Sequence, residues 1–412
     1  MSKVLLKDIA EIQSGPFGTQ LHKDEYVTNG ILMLNAKNIG NGLVLTESVD
    51  YVSDDVCSRL AQYVLKEGDI LFGRAGSIER HTYIDERYMG CFQGTNCIRI
   101  RCNNPDISRF VSYYLWLPIV KQRIENQTGG SILSYITSDL LKEIEIDLPD
   151  ESTIEKVTNA LLLIDKKILN NNRINDNLLN QLKTIYDYWF VQFDFPDENG
   201  NPYRSSGGKM VWNDKLKRDI PTKWICQNIR NLTSITWGQC PDGKNILSKS
   251  ANKKNLIDYC SGAGDMKGGF LVDCQSKTDN SKRFAYENDI LVSVAGKIGD
   301  MCVVDHPISL GRAAMAFSAN NYYELTYIYL TLQTLNKKMT TISTGSIQKV
   351  INNDHIDEFN FPYNEDIVAK FGELTQNIFD EFKQISNENK ELKKLRDWLL
   401  PMLMNGQATI ED

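Results

Sequence analysis

Between Glu151 and Phe190 the chain reads ESTIEKVTNALLLIDKKILNNNRINDNLLNQLKTIYDYWF. Apolar residues fall at Ile154, Val157, Leu161, Ile164, Ile168, Leu178, Leu182, Ile185 and Trp189, in steps that alternate three and four. That spacing keeps one stripe on one side of a helix and is the pattern of a coiled-coil seam. Asn171 and Asn175 interrupt the stripe with amides. Ser152, with Glu155 three residues on, has the capping-box pattern that predicts the helix start. At about 1.5 Å per residue, some 38 residues would reach about 57 Å.

The stripe returns later in the chain. Val368, Phe371, Ile378, Phe382, Ile385, Leu392, Leu399 and Leu403 keep the register at a shift of 214, which takes 154 to 368, 168 to 382 and 189 to 403. Thr375, Asn389 and Arg396 are its polar entries, and Asn389 stands where Asn175 does. Pro401 is expected to disturb the last turn, and Gly406 to stop the helix. Matched stripes predict two helices paired antiparallel about a pseudo-twofold axis near Asn171–Asn175 and Ile385–Asn389. A buried Asn in such a seam fixes register at some cost in stability. The alternative is that these amides face solvent.

Ahead of each helix lies a module of mixed strands and short helices. Gly68-Asp69-Ile70-Leu71 is answered by Asn288-Asp289-Ile290-Leu291, and Thr128-Gly129-Gly130-Ser131-Ile132 by Thr344-Gly345-Ser346-Ile347. Strands are expected over 30–34, 69–72, 97–100 and 289–294, and helices over Phe110–Ile124 and Tyr323–Met339. The expected fold class is α+β: two similar mixed α/β modules and two long helices, as a pseudo-twofold internal repeat. The boundaries are 1–150 for module 1, 151–192 for the first helical arm, 193–222 for a turn-rich linker, 223–362 for module 2 and 363–412 for the second arm.

Loops at corresponding places carry Gly beside basic, amide or hydroxyl side chains. Module 1 offers Lys37, Arg74, Arg80, His81, Gln93, Asn96 and Ser131. Module 2 offers Lys244, Lys249, Lys297, Arg312, Ser346, Gln348 and Lys349. Arg, Lys, Asn and Gln suit bidentate contact with base edges, and hydroxyls and backbone N–H groups suit phosphates. The net charge of −7 does not advertise nucleic acid. It is unevenly spread: residues 1–150 carry 15 basic against 20 acidic side chains, and residues 223–362 carry 15 against 13. DNA binding would therefore use local basic faces, with a partner supplying further phosphate contacts.

Catalytic motifs fail on inspection. Gly238-Gln239-Cys240-Pro241-Asp242-Gly243-Lys244 has phosphate-loop spacing, but Asn245 stands where Ser or Thr would hold magnesium. Gly262-Ala263-Gly264-Asp265-Met266-Lys267-Gly268 misses the dinucleotide fingerprint by one residue. Asn201-Pro202-Tyr203 is one proline short of an amino-methyltransferase pocket. Nine cysteines without a Cys-x-x-Cys pair, and four histidines, predict buried thiols and no metal site. No apolar run is long enough to span a membrane, and a cytoplasmic location is expected.

Three stretches resemble signatures of a known family. They are Ile185-Tyr186-Asp187-Tyr188-Trp189-Phe190-Val191-Gln192-Phe193-Asp194-Phe195-Pro196, Ser205-Ser206-Gly207-Gly208-Lys209-Met210-Val211-Trp212, and Leu395-Arg396-Asp397-Trp398-Leu399-Leu400-Pro401-Met402-Leu403-Met404-Asn405-Gly406-Gln407. With the order module, helix, module, helix, the whole chain resembles the specificity subunit of type I restriction-modification systems. The resemblance implies a non-catalytic subunit whose two target-recognition domains read a bipartite, asymmetric double-stranded DNA site. It implies two methyltransferase subunits as partners, with restriction and translocation subunits able to join. Cofactors would then lie in the partners: S-adenosylmethionine in the methyltransferase, ATP and Mg in the restriction subunit. Competing readings are a coiled-coil scaffold with protein-binding modules, a methyltransferase in its own right, and an orphan subunit that guides methylation without restriction.

Overall fold

The computed structural model describes residues 2–74, 80–127, 135–266, 269–343 and 350–410. It divides into two units, Met1–Lys166 with Lys393–Asp412, and Lys167–Leu392.

In the first unit an antiparallel sheet has the order β1 (Ala10–Ser14), β4 (Cys97–Cys102), β2 (Ile70–Gly73) and β3 (His81–Tyr83). Alternation decides its faces. Ile70, Phe72, Ile98 and Ile100 pack with Phe110 and Tyr114 of the helix Ser108–Leu115. Leu71 and Cys97 face the other way and pack with Leu34, at the end of strand Ile31–Leu34 in a second four-stranded sheet. The helix expected over Phe110–Ile124 is two, Ser108–Leu115 and Pro118–Gln127. Pro118 is the reason: it has no N–H to continue a helix but fits the first turn of a new one.

The second unit repeats this plan. Its sheet has the order β5 (Thr233–Trp237), β8 (Ala314–Ala319), β6 (Ile290–Ser293) and β7 (Met301–Val303). Ile290, Val292, Met315 and Phe317 pack with Tyr327 and Ile328 of the helix Leu325–Ile342, and Leu291, Ala314 and Ala316 line the opposite face. Counterpart strands are displaced by 223 residues at Ala10 and Thr233, 220 at Ile70 and Ile290, and 217 at Cys97 and Ala314. The displacements at these strands fall towards the 214 of the helices because the connections between them change length, and one of them, after Asp50–Val52, carries a helix (Asp54–Arg59) that module 2 does not repeat.

The repeated phrase before β2 and β6 is a turn. Gly68 and Asn288 hold φ of 90° and 72°, the left-handed region open to Gly and tolerated by Asn. The next residue is a buried Asp whose carboxylate closes the turn: Lys66 N–H donates to Asp69 Oδ2 and Tyr286 N–H to Asp289 Oδ2, both at 2.7 Å. Arg101 adds a fork to Asp69 at 2.7 and 2.6 Å. The corresponding residue of β8 is Ser318, and without a guanidinium burial pushes the Asp289 carboxyl up.

The helices are α1 (Glu151–Tyr186) and α2 (Glu365–Met404), about 54 and 60 Å long at about 1.5 Å per residue. Asp150, not Ser152, caps α1: its carboxylate accepts from Thr153 N–H at 3.0 Å and Thr153 Oγ1–H at 2.9 Å. A carboxylate at that position also complements the positive helix end. Tyr186 is followed by a wide turn over Asp187–Val191 that buries Trp189 and Phe190. Pro401 lies inside α2, whose last turn continues to Met404, and Gly406, at φ 66°, ends it by donating to Leu403 O.

Within the second unit α1 and α2 run antiparallel. Asn175 Nδ2–H donates to Ser386 Oγ at 3.0 Å, and Asn389 Nδ2–H to Asn172 Oδ1 at 2.9 Å. The shift of 214 takes Asn175 to Asn389 and Asn172 to Ser386, so these two contacts are symmetry mates. Asn171, 1 % exposed, donates to Glu388 at 2.7 Å. The amides therefore line the seam and do not face solvent. Lys383 reaches Glu287 and Asn288, and Lys390 reaches Asp305, tying α2 to module 2. In the first unit Arg396 pairs with Asp165 at 3.1 Å, and Tyr113 O–H donates to the same carboxylate.

Candidate nucleic-acid interface

Strand ends bring the candidate loops of module 1 together. β1 finishes at Ser14, β2 finishes at Gly73 and β4 starts at Cys97, and the antiparallel register puts these three ends side by side. Arg74 N–H donates to Asn96 O at 2.8 Å, and Ile136 N–H to Arg74 O at 3.0 Å. The loop after β1 crosses the Gly94 backbone so closely that a Cβ on Gly15 would lie 2.0 Å from Gly94 O. Only glycine permits that approach.

A cleft of about 480 Å³ opens at this place, lined by Phe17, His22, Lys23, Tyr26, Arg74 and Asn96 among others. Two of the candidates, Arg74 and Asn96, thus share one surface. His22 and Lys23 join them without any sequence signal, because nothing local places residues 22–23 beside residues 74 and 96. The cleft offers cationic, amide and aromatic groups together, a set able to contact phosphate, base edge and base face.

Module 2 builds the same junction from other side chains. A Cβ on Gly238 would lie 2.0 Å from Gly311 O, and Gly238 N–H donates to Ala314 O at 3.0 Å. Ile351 N–H donates to Val294 O at 2.9 Å, the counterpart of the Ile136–Arg74 contact. Arg312, in the place of Thr95, is exposed beside Cys240. Lys244 is exposed in the short turn Gly243–Asn245, counterpart of Lys23–Glu25. Lys297 pairs with Asp300 at 2.7 Å, Lys249 with Asp273 at 2.5 Å and Lys37 with Asp50 at 2.9 Å, all on partly exposed side chains. Pairs of that kind contribute little and can exchange for a phosphate.

His81 and Gln93 are corrections, because both are fully buried. The His81 ring is stacked between Phe72 and Trp116, at 4.8 and 4.2 Å, and Nε2–H donates to Ser112 O at 2.9 Å. Burial drives it down to about 3, so it is a neutral core ring. Gln93 Nε2–H donates to Gln13 O at 3.0 Å and Cys97 O at 3.3 Å, holding the Gly94 loop on the sheet. Arg80 lies half-buried just before β3. Ser131, Ser346, Gln348 and Lys349 lie outside the described residues. Seven of the nine cysteines are buried, Cys226 is half-buried and Cys240 is exposed. Among the described residues no helix is long and apolar enough to cross a membrane.

Comparison with known proteins accords with this duplicated architecture. A family model for the type I restriction modification DNA specificity domain matches residues 1–184 and 238–396. The MjaIX specificity subunit of a type I restriction enzyme from Methanocaldococcus jannaschii is 21% identical over 418 residues, covering 99% of this chain and 93% of its own length. The HindI specificity subunit of Haemophilus influenzae is 21% identical over 448 residues, covering 92% and 94%. In fold, the chain is similar to the crystal structure of the type I restriction-modification S subunit from M. genitalium, with a TM-score of 0.54 at 17% identity over 98% of this chain and 95% of that one. The first matched block holds module 1 and most of α1, the second holds most of module 2 and of α2, and together they take up most of the sequence: the chain belongs to the family of type I restriction-modification specificity subunits.

Proposed function

We propose that each module reads one half-site of a bipartite, asymmetric double-stranded DNA target, and that the chain performs no chemistry itself. The observation that carries this reading is the sheet-end junction built twice. The same glycine crossing and the same backbone bonds recur, while the side chains around them change from Lys23, Arg74 and Asn96 to Lys244 and Arg312. A shared scaffold with different contact residues is what two different half-sites need. Helices of about 54 and 60 Å are long enough to act as a spacer over an unread DNA turn of about 34–36 Å.

Two methyltransferase subunits dock on this chain, and restriction and translocation subunits join them. S-adenosylmethionine is bound by the methyltransferase, which modifies adenine at N6 after the base has left the stack. ATP and Mg belong to the restriction subunit. With a net charge of −7, the chain depends on its methyltransferase for part of the phosphate contact. Gel-shift titration of the isolated chain and of its methyltransferase complex tests this. The complex binds one bipartite duplex tightly, with a steep salt dependence, and the isolated chain binds weakly. Equal affinity and specificity for the isolated chain would overturn the account of the partner's role.

A further inference from the structure

Between α1 and module 2, residues 203–223 carry six basic and two acidic side chains in a chain whose net charge is −7. The segment is a firmly mounted hairpin. Met210–Asn213 pairs antiparallel with Arg218–Pro221. Asn213 Oδ1 accepts from Lys215 N–H and Leu216 N–H, and Lys217 takes φ 50° to close the turn. At its base Asp194 accepts from both the backbone and the hydroxyl of Ser205, each at 2.7 Å. Tyr203 stacks on Phe195 at 4.8 Å and donates its O–H to Lys209 O. Arg218 lies 4.5 Å over the Phe193 ring and donates to Val191 O at 2.6 Å. Ile220 is buried, and Met210 and Leu216 pack against the same core.

The outward side is different in kind. Lys209, Lys215, Lys217 and Lys223 are all exposed, and among the described residues none of them forms an ion pair. Trp212, on the same hairpin, is 55% exposed, and its Nε1–H is directed to Asp214 at 3.0 Å. Several lysines elsewhere in the second unit do have carboxylate partners, among them Lys249, Lys253, Lys297 and Lys338 of module 2 and Lys383 and Lys390 of α2. The hairpin thus presents four lysines without ion pairs, in excess over its two exposed carboxylates, Asp214 and Asp219, and an exposed indole on a rigid support. Its backbone pays no ordering cost on binding, and its charges attract a polyanion without a base-reading geometry.

We propose that the 209–223 hairpin is a second, sequence-independent contact of this chain with the DNA phosphate backbone, outside the two reading surfaces. This rests on the DNA-reading function proposed above. It acts as an anchor that raises affinity for every duplex alike and leaves the recognised bases unchanged.

The test uses the full chain assembled with its methyltransferase, wild type against the combined Lys209→Gln, Lys215→Gln, Lys217→Gln and Lys223→Gln variant. Binding is titrated with salt on a duplex bearing the methylated motif and on an unrelated duplex of equal length. Each lysine on a phosphate contributes about 0.9 to the slope of log affinity against log salt. The variant is expected to lose about 2–4 from that slope on both duplexes, to weaken on both by the same factor, and to methylate the same motif. Unchanged slopes with normal assembly overturn the proposal. Unchanged slopes with loss of methyltransferase from the complex overturn it too, and assign the hairpin to a protein contact. A wild-type complex without preference for either duplex removes the DNA-reading function itself, which is a separate failure. Thermal unfolding of both proteins confirms that four exposed substitutions leave the fold intact.

Discussion

At the scale of residues, burial separates the candidate reading side chains from supporting ones. Arg74 and Asn96 share a cleft with Lys23, whereas Gln93 and His81, equally plausible by type, are fully buried. Replacing Arg74 or Asn96 with Ala should relax one half of the methylated motif, costing about 1–3 kcal/mol of discrimination where a base contact is lost. Replacing Gln93 with Ala should lower the melting temperature and leave the motif intact, and methylation mapping beside thermal unfolding separates the two effects. His81 carries a pH signature. Its folded value, about 3, lies below the ordinary histidine value of 6.5. The neutral ring is therefore the stable one, and its contribution is present above about pH 6.5 and is lost as pH falls towards 3. The first unit should lose stability across that window, and His81→Phe should flatten the loss, as read by melting temperature against pH. Residue type alone could nominate these side chains. It could not divide them, because the fold, not the local sequence, brings Trp116 over His81 and Lys23 beside Arg74.

At the scale of elements, the helices were the most legible part of the sequence. A three-four stripe is a long, redundant signal, and each of its positions in both helices is buried or half-buried. The symmetry centre read from the stripes lies where Asn175–Ser386 and Asn389–Asn172 form matched contacts. Helix ends were less legible, since Asp150 takes the cap that Ser152 was expected to hold. In each pair the amide nitrogen donates while Asn175 Oδ1 and Asn389 Oδ1 stay buried without a donor. Such groups cost stability and select register. Replacing Asn175 and Asn389 together with Leu should raise stability by about 2 kcal/mol, read as a higher melting temperature, and broaden register or oligomeric state in analytical ultracentrifugation. A less stable, uniformly monomeric double variant would remove the register role from these amides.

At the scale of the whole molecule, the repeat divides into a conserved frame and variable loops. Strand order, the buried Asp turn and the glycine crossing recur in both modules. The displacement between counterparts changes from 223 at the first strand to 214 in the helices as the connections change length, and the helix Asp54–Arg59 of module 1 has no counterpart between Ser276–Thr278 and Ile290–Ser293. Loop content was legible as a list of polar residues but not as a surface, because the junction joins three strand ends distant in sequence. The central claim is that each module reads its own half of one target. The most direct measurement is to exchange residues 1–149 for the first module of another specificity subunit, co-express the chimera with its methyltransferase, and map N6-methyladenine across the genome. The account predicts a motif with one half replaced, and the other half and the spacing retained. A motif changed in both halves, or in neither, would contradict it.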